Sequence, residues 1–169
     1  MARTLVLIRH SKAASPNGVP DHERPLTEEG RRDAPAVGRW LRAQGVSPQV
    51  AMVSAALRTR QTFELMAAEL PDPPEPVVTD DVYYAGAGDL LEMVRALPGD
   101  ASSAMIVAHN PGIGMLAGAL DDGASTVPAS DRPRGGFPTS SVAVFSVDGD
   151  WAALDPGAAR LVAFTVARG

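Results

Sequence analysis

Cysteine is missing from all 169 residues, which excludes disulfide staples, iron–sulfur clusters, thiolate zinc sites and cysteine nucleophiles together. Lysine is nearly missing as well: of the 15 basic residues, Lys12 is the one lysine and the rest are arginine. With alanine so abundant, this reads as a compositional bias, so the number of arginines is not itself evidence of phosphate binding. No apolar run approaches the roughly 18 residues of a membrane span, and the Leu5 to Ile8 stretch is cut off at Arg9 and His10, too short for a signal-peptide core. The chain is therefore expected in the cytoplasm. Excess positive charge is lacking too. The formal charge of −5 argues against nucleic acid or an anionic membrane as a general partner, since both demand a basic face. The remainder is ordinary globular material, 45% hydrophobic and 21% charged. Its length suits a single domain over residues 1–169 that can bury a core.

Thr4 to Ile8 is a continuous run of branched apolar residues, the pattern of a strand buried on both faces. Thr27 can cap a helix whose first turn carries Glu28 and Glu29, and Gly45 would close it, although Pro35 should kink that helix or delay its start. Val50 to Val53 predicts a second strand, followed by a helix over about Leu57 to Leu70. Val77 to Thr79 is a third strand, Asp89 to Leu97 a helix, Met105 to Ala108 a fourth strand, and Gly112 to Leu120 another helix. Residues 121–138, rich in proline and glycine, read as a long loop that is either a lid or disordered. Two final strands, Ser141 to Val147 and Ala159 to Val166, are joined through Asp148-Gly149-Asp150. This alternation implies an α/β fold, a mostly parallel central sheet with helices on both faces, whose ligands bind beyond the carboxyl ends of the strands.

Three of those strand ends carry Arg9-His10, Ser54 followed by Arg58, and His109-Asn110. Two histidines and two arginines, distant in sequence, would then meet in one crevice. Taken singly, His10 reads equally well as a satisfied structural histidine; two histidines, each directly after a buried-strand pattern, are harder to dismiss. A metal site on His10 and His109 lacks the usual three or four ligands. A nucleophilic histidine among arginines fits better. Gly86 and Gly88 lack the spacing of a nucleotide loop and read as turn residues.

The run Leu5-Val6-Leu7-Ile8-Arg9-His10-Ser11-Lys12-Ala13, the block Ser54-Ala55-Ala56-Leu57-Arg58-Thr59-Arg60-Gln61-Thr62 and the later Val107-Ala108-His109-Asn110-Pro111 resemble the histidine phosphatase, or phosphoglycerate-mutase-like, superfamily. The short length and the Arg24-Pro25-Leu26-Thr27 segment are most similar to its SixA-type phosphohistidine phosphatases. The resemblance implies that His10 is the nucleophile, Arg9 and Arg58 clamp the phosphate, and His109 hydrogen-bonds the transferred group. It implies neither metal nor cofactor. A neutral imidazole can attack phosphorus without first losing a proton, and arginine forks and imidazolium donors stabilise the charge that spreads over the phosphoryl oxygens.

Arg24, Ser11 and Asn110 are the expected substrate-binding positions. Arg24 has the competing reading of an exposed loop arginine, and Asn110 could either orient His109 or cap the following helix. Arg60 is expected on an exposed helix face, and Asp21 and His22 at the surface near the entrance. Relatives that cleave phosphate esters carry a glutamate after the third strand, or an aspartate after the second histidine, to protonate the leaving oxygen. Here Asn110 follows His109, and Asp80, Asp81, Tyr83 and Tyr84 follow the third strand. The general acid is unassigned. Three readings stay open: a phosphatase acting on a histidine-phosphorylated protein, a small-molecule phosphomonoesterase or mutase using Asp81 or another acid, and a phosphate-binding module without turnover.

Overall fold

The computed structural model describes residues 2–132 and 136–169. In chain order the elements are β1 (Ala2–Arg9), α1 (Glu28–Ala43), β2 (Val50–Ser54), α2 (Leu57–Ala67), β3 (Pro76–Thr79), α3 (Asp80–Tyr83), α4 (Ala87–Arg95), β4 (Ser103–Ala108), α5 (Gly112–Leu120), β5 (Ser141–Asp148) and β6 (Ala159–Val166). The strands form one six-stranded sheet in the order β3-β2-β4-β1-β5-β6. β3, β2, β4 and β1 run parallel, while β5 pairs antiparallel with β1, and β6 antiparallel with β5. This is the expected α/β architecture.

β1 is central because Leu5, Val6, Leu7 and Ile8 are all completely buried and so need cover on both faces. Leu5 and Leu7 face a core shared with α4 and α5, built around Leu90, Val94, Ile106, Ile113, Phe145 and Trp151. Val6 and Ile8 face the opposite core, where Leu41 of α1 and Met66 of α2 close over Val53, Met105 and Val107. β3 lies at the sheet edge, with Val77 and Val78 exposed. Pro76, which has no N–H to donate, opens that strand where the loss costs least.

Thr27 caps α1, its hydroxyl accepting from the Gly30 N–H. The helix starts at Glu28 and passes through Pro35 without interruption, so the expected delay does not occur. Proline forfeits one helical hydrogen bond there, but Ala34, Val37, Gly38 and Leu41 are buried, and packing outweighs the local penalty. Gly38 is required by that packing: a Cβ on it would lie 2.2 Å from the Met66 carbonyl oxygen. α2 ends at Ala67, α3 is a short turn that periodicity does not suggest, and Gly88 lies inside α4 rather than in a turn.

The described part of the 121–138 segment is neither a free lid nor disordered. Val127 and Phe137 are buried, and the Thr126 N–H donates to the Leu161 carbonyl of β6. Residues 133–135 lie outside the described residues. Among the described residues no helix is long and apolar enough to cross a membrane.

Because β2, β4 and β1 are parallel neighbours, with Ile8 beside Val107 and Val53 also beside Val107, their carboxyl ends form one rim. Arg9-His10, Ser54 and His109 lie directly on it.

Candidate active site

His10 leaves β1 with its N–H donating to the Ala108 carbonyl and its side chain buried. Its Nδ1 lies 2.7 Å from the Ser11 carbonyl oxygen. A carbonyl only accepts, so Nδ1 carries the hydrogen and Nε2 keeps its lone pair. Burial, reinforced by His109, Arg58 and Arg9, pushes the His10 pKa down to about 3. The imidazole is therefore neutral near pH 7.

The His109 ring centre is 5.3 Å from that of His10. Its Nε2 lies 2.6 Å from the hydroxyl of Ser54, which is completely buried. That hydroxyl oxygen also accepts from the Ala56 N–H. In the tautomer in which the hydroxyl donates to Nε2, Nδ1 of His109 carries the hydrogen, and that nitrogen has no protein partner. Burial, and next the Arg58 charge, push the His109 pKa down to about 4. The expected imidazolium is thus a neutral imidazole in the protein alone, and it would need an incoming anion to protonate it.

Arg58 projects from the first turn of α2, its side chain only 8% exposed. Nη1 donates to the Asp21 carbonyl at 2.7 Å and Nη2 to the Asp21 carboxylate at 3.0 Å. Arg9 donates through Nη1 to the Phe137 carbonyl at 3.2 Å. Burial and the Arg58 charge lower the Arg9 pKa from its ordinary value. Four buried side-chain polar atoms among the described residues lack a partner, and three belong to this cluster: Arg9 Nε, Arg58 Nε and His109 Nδ1. Unpaired buried donors are rare because each forfeits its hydration. The two arginine N–H groups, joined by His109 Nδ1 in the tautomer that Ser54 donates to, surround one neutral imidazole as an anion would require.

The other expected contacts are placed differently. Ser11 is completely buried; its hydroxyl pairs with that of Ser140 at 2.7 Å, and its N–H donates to Thr62 Oγ1. Its hydroxyl and N–H are thus engaged inside the protein, and its carbonyl lies against His10 Nδ1. Asn110 makes no bond to His109. Its Nδ2 donates to the Phe137 carbonyl at 2.8 Å and its Oδ1 accepts from the Gly114 N–H in the first turn of α5, so it ties that turn to the carbonyl that Arg9 uses. Arg24 donates through Nε to the Ala14 carbonyl and through Nη1 to the Asp21 carboxylate, and so adjoins the cluster through Asp21. Arg60 lies exposed, as expected.

Sequence reasoning places Ser54 at a converging strand end, Asp21 near the entrance and Tyr83 after the third strand, but assigns none of them a contact within the site. Asp21 is half exposed but joins both Arg58 and Arg24; the one available hint was its spacing of three residues from Arg24. Tyr83 packs edge-on against His109, ring centres 5.5 Å apart, and donates its hydroxyl to Asp21. Neither Asp80 nor Asp81 bonds to the histidine pair: Asp80 accepts from His22, and the Asp81 N–H donates to the Thr79 hydroxyl that caps α3. Among the described residues no three histidine, aspartate or glutamate side chains cluster as metal ligands.

The chain's relatives carry the same arrangement of elements. A Nakamurella multipartitia protein solved as a candidate SixA phosphohistidine phosphatase is 35% identical, with a TM-score of 0.80 over 98% of this chain and 96% of that one. A protein histidine phosphatase SixA solved with tungstate is 25% identical, with a TM-score of 0.73 over 98% and 96%. The phosphohistidine phosphatase SixA of Escherichia coli is 29% identical over 84% of each chain. The family model for the histidine phosphatase superfamily, branch 1, matches residues 5–82, which hold the Arg9-His10 strand end and the Ser54 to Arg58 block. With that match and a relative 35% identical along nearly its whole length, the chain belongs to the histidine phosphatase superfamily.

Proposed function

We propose that residues 1–169 act as one catalytic domain, a metal-independent phosphatase of the cytoplasm that removes the phosphoryl group from phosphohistidine in proteins. His10 Nε2 attacks phosphorus in line. The new phosphorus–nitrogen bond forms as the bond to the substrate imidazole breaks, and that imidazole departs with the electron pair. Water then cleaves phospho-His10, releasing inorganic phosphate and restoring the free imidazole. Arg9, Arg58 and His109 would hold the equatorial oxygens through their unpaired N–H groups, where fixed donors act most strongly on developing charge. Arg24 would add positive charge at the rim.

The observation that carries the substrate class is the state of the carboxylate nearest the clamp. Asp21 accepts from Tyr83, Arg24 and Arg58, and these bonds hold it ionised, well below the usual carboxylate range. It has no proton to give. An alkoxide leaving without a positioned acid forgoes roughly 10²–10⁴-fold of acceleration. An imidazole can leave neutral once its other nitrogen is protonated, a form accessible near pH 7 given a pKa of about 6.5.

The test is dephosphorylation of a histidine-phosphorylated carrier domain beside an aryl phosphate and a panel of sugar phosphates, with and without chelator. kcat/KM is expected to fall in that order and to be indifferent to chelator. Sugar phosphates as the best substrates would favour the small-molecule reading. No turnover of any substrate would leave a binding module.

A further inference from the structure

Asp21 sits on a single helical turn in the loop after β1 and is the most connected carboxylate around the site. Its Oδ2 accepts from Tyr83 at 2.5 Å and from Arg58 Nη2 at 3.0 Å, its Oδ1 accepts from Arg24 Nη1 at 3.0 Å, and its carbonyl accepts from Arg58 Nη1 at 2.7 Å. The carboxylate is 52% exposed, so burial does not force these contacts. They gather two arginines and a tyrosine onto one residue.

The way Arg58 is held is specific. A guanidinium offers five N–H donors in a rigid plane. Asp21 engages both terminal nitrogens, one through its backbone and one through its side chain, which fixes that plane. Nε is left buried and unpaired. Arg24 spends Nε on the Ala14 carbonyl and Nη1 on Asp21, which leaves Nη2 uncommitted. Tyr83 meets His109 edge-on, so the same carboxylate also reaches the ring that faces His10.

We infer that Asp21 is a positioning residue for phosphoryl transfer: it braces Arg58 and Arg24 from behind, so that Arg58 Nε and Arg24 Nη2 meet the phosphoryl oxygens already aligned. The inference rests on the reading that this site takes a phosphoryl group. The opposite role is an internal competitor, a carboxylate occupying arginines that phosphate would otherwise use. Charge alone favours the competitor, since an anion beside a phosphate dianion is repulsive. That repulsion is discounted by the exposure of the carboxylate, whereas misaligning a preorganised donor typically costs about 10²-fold in rate. The two roles give opposite signs, which makes them separable.

The experiment measures kcat and KM for an aryl phosphate, and the inhibition constant of vanadate, in the intact chain and in Asp21→Ala, Asp21→Asn, Tyr83→Phe, Arg58→Ala and the double variant of Asp21→Ala with Arg58→Ala. Asp21→Ala is expected to lower kcat by about 10–100-fold and to weaken vanadate. Asp21→Asn keeps the backbone bond and an accepting oxygen, and should recover part of the loss. Tyr83→Phe should cost less than either. In the Arg58→Ala background the Asp21 substitution should add little, because the two act as a unit. Tighter vanadate with turnover unchanged or raised would overturn the inference in favour of the competitor, and wild-type values or full additivity with Arg58→Ala would overturn it outright. If the intact chain neither binds vanadate nor turns over the aryl phosphate, the phosphoryl site falls as well; if it does both and Asp21→Ala matches it, only the role of Asp21 falls.

Discussion

The sheet has two halves that contribute to the site in different ways. The parallel half, β3-β2-β4-β1, supplies the rim bearing Arg9, His10, Ser54, Arg58 and His109. The antiparallel half, β5-β6, offers no group to the reacting face among the described residues. The segment leading into it nevertheless holds the rim in place: the Phe137 carbonyl accepts from Arg9 and Asn110, the Ser140 N–H donates to the Arg9 and His10 carbonyls, and the Ser140 hydroxyl pairs with Ser11. Ser140 takes a positive φ of 63° to do so, a conformation that costs a non-glycine residue energy. Parallel strands end together and so gather side chains from distant parts of the chain, whereas the antiparallel connection turns back across the rim and contributes backbone.

Substitutions can test that division, and the largest effect should come from the rim. His10→Ala is expected to abolish turnover of every phosphorylated substrate while leaving the circular dichroism spectrum and the cooperative unfolding transition in place. An acid-labile, base-stable phosphoryl label should be trapped on His10 in the intact protein, and retained activity in the variant would remove His10 from the chemistry. Next come Arg58→Ala and His109→Ala, each expected to cost about 10²–10³ in kcat/KM, the usual effect of deleting one preorganised donor. Arg58→Lys should recover little because an ammonium lacks the planar fork. Steady-state kinetics on an aryl phosphate checks both, and near-normal rates would show that the rim does not act as one site.

Acid stability should be affected less. His10 and His109 are held neutral in the fold with pKa values at about 3 and about 4, whereas in the unfolded chain each titrates near 6.5. Between those limits the unfolded state binds more protons, so stability is intact above about pH 6.5 and falls as the pH drops toward 4. Urea midpoints across this range should fall less steeply in His10→Ala than in the intact protein, and parallel slopes would contradict the depressed value.

The smallest change is expected in the backing segment. Asn110→Ala removes one of two donors to the Phe137 carbonyl and should lower kcat/KM by roughly tenfold or less, since one neutral hydrogen bond contributes about 1 kcal/mol. Ser140→Ala should cost about 1–3 kcal/mol of stability through the Ser11 hydroxyl left buried and unpaired, with turnover largely kept. A loss in either variant as large as that of Arg58→Ala would erase the distinction between the halves.

Both halves of the sheet are legible in sequence, the strands expected over Ser141 to Val147 and Ala159 to Val166 matching β5 and β6 as closely as any in the parallel half. β1 shows itself as five consecutive branched or apolar residues because it is covered on both faces, and α1 by a capping threonine followed by two glutamates. α5 is legible to its last residue from the apolar run between Gly112 and Leu120. Pro35 misleads because propensity is local, whereas the burial of Val37 and Leu41 is tertiary. α3 is a four-residue turn, too short to carry a period. The 121–138 segment looks structureless because its order comes from Val127 and Phe137 packing against distant strands, which no local pattern records.

Residue type, order and the strand-end positions were enough to determine the α/β architecture and the two histidines and two arginines that meet, because buried parallel strands impose continuous apolar runs and place the residues just beyond them on one rim. Only the tertiary structure decided which nitrogen of His10 is free, which N–H groups are left unpaired, and that the Ser11 hydroxyl turns inward while Asp21 turns toward the arginines. The last two depend on partners 129 and 37 residues away in sequence, Ser11 with Ser140 and Asp21 with Arg58; the first depends on the neighbouring Ser11 carbonyl, and a hydrogen bond's direction is fixed by geometry that residue spacing does not contain.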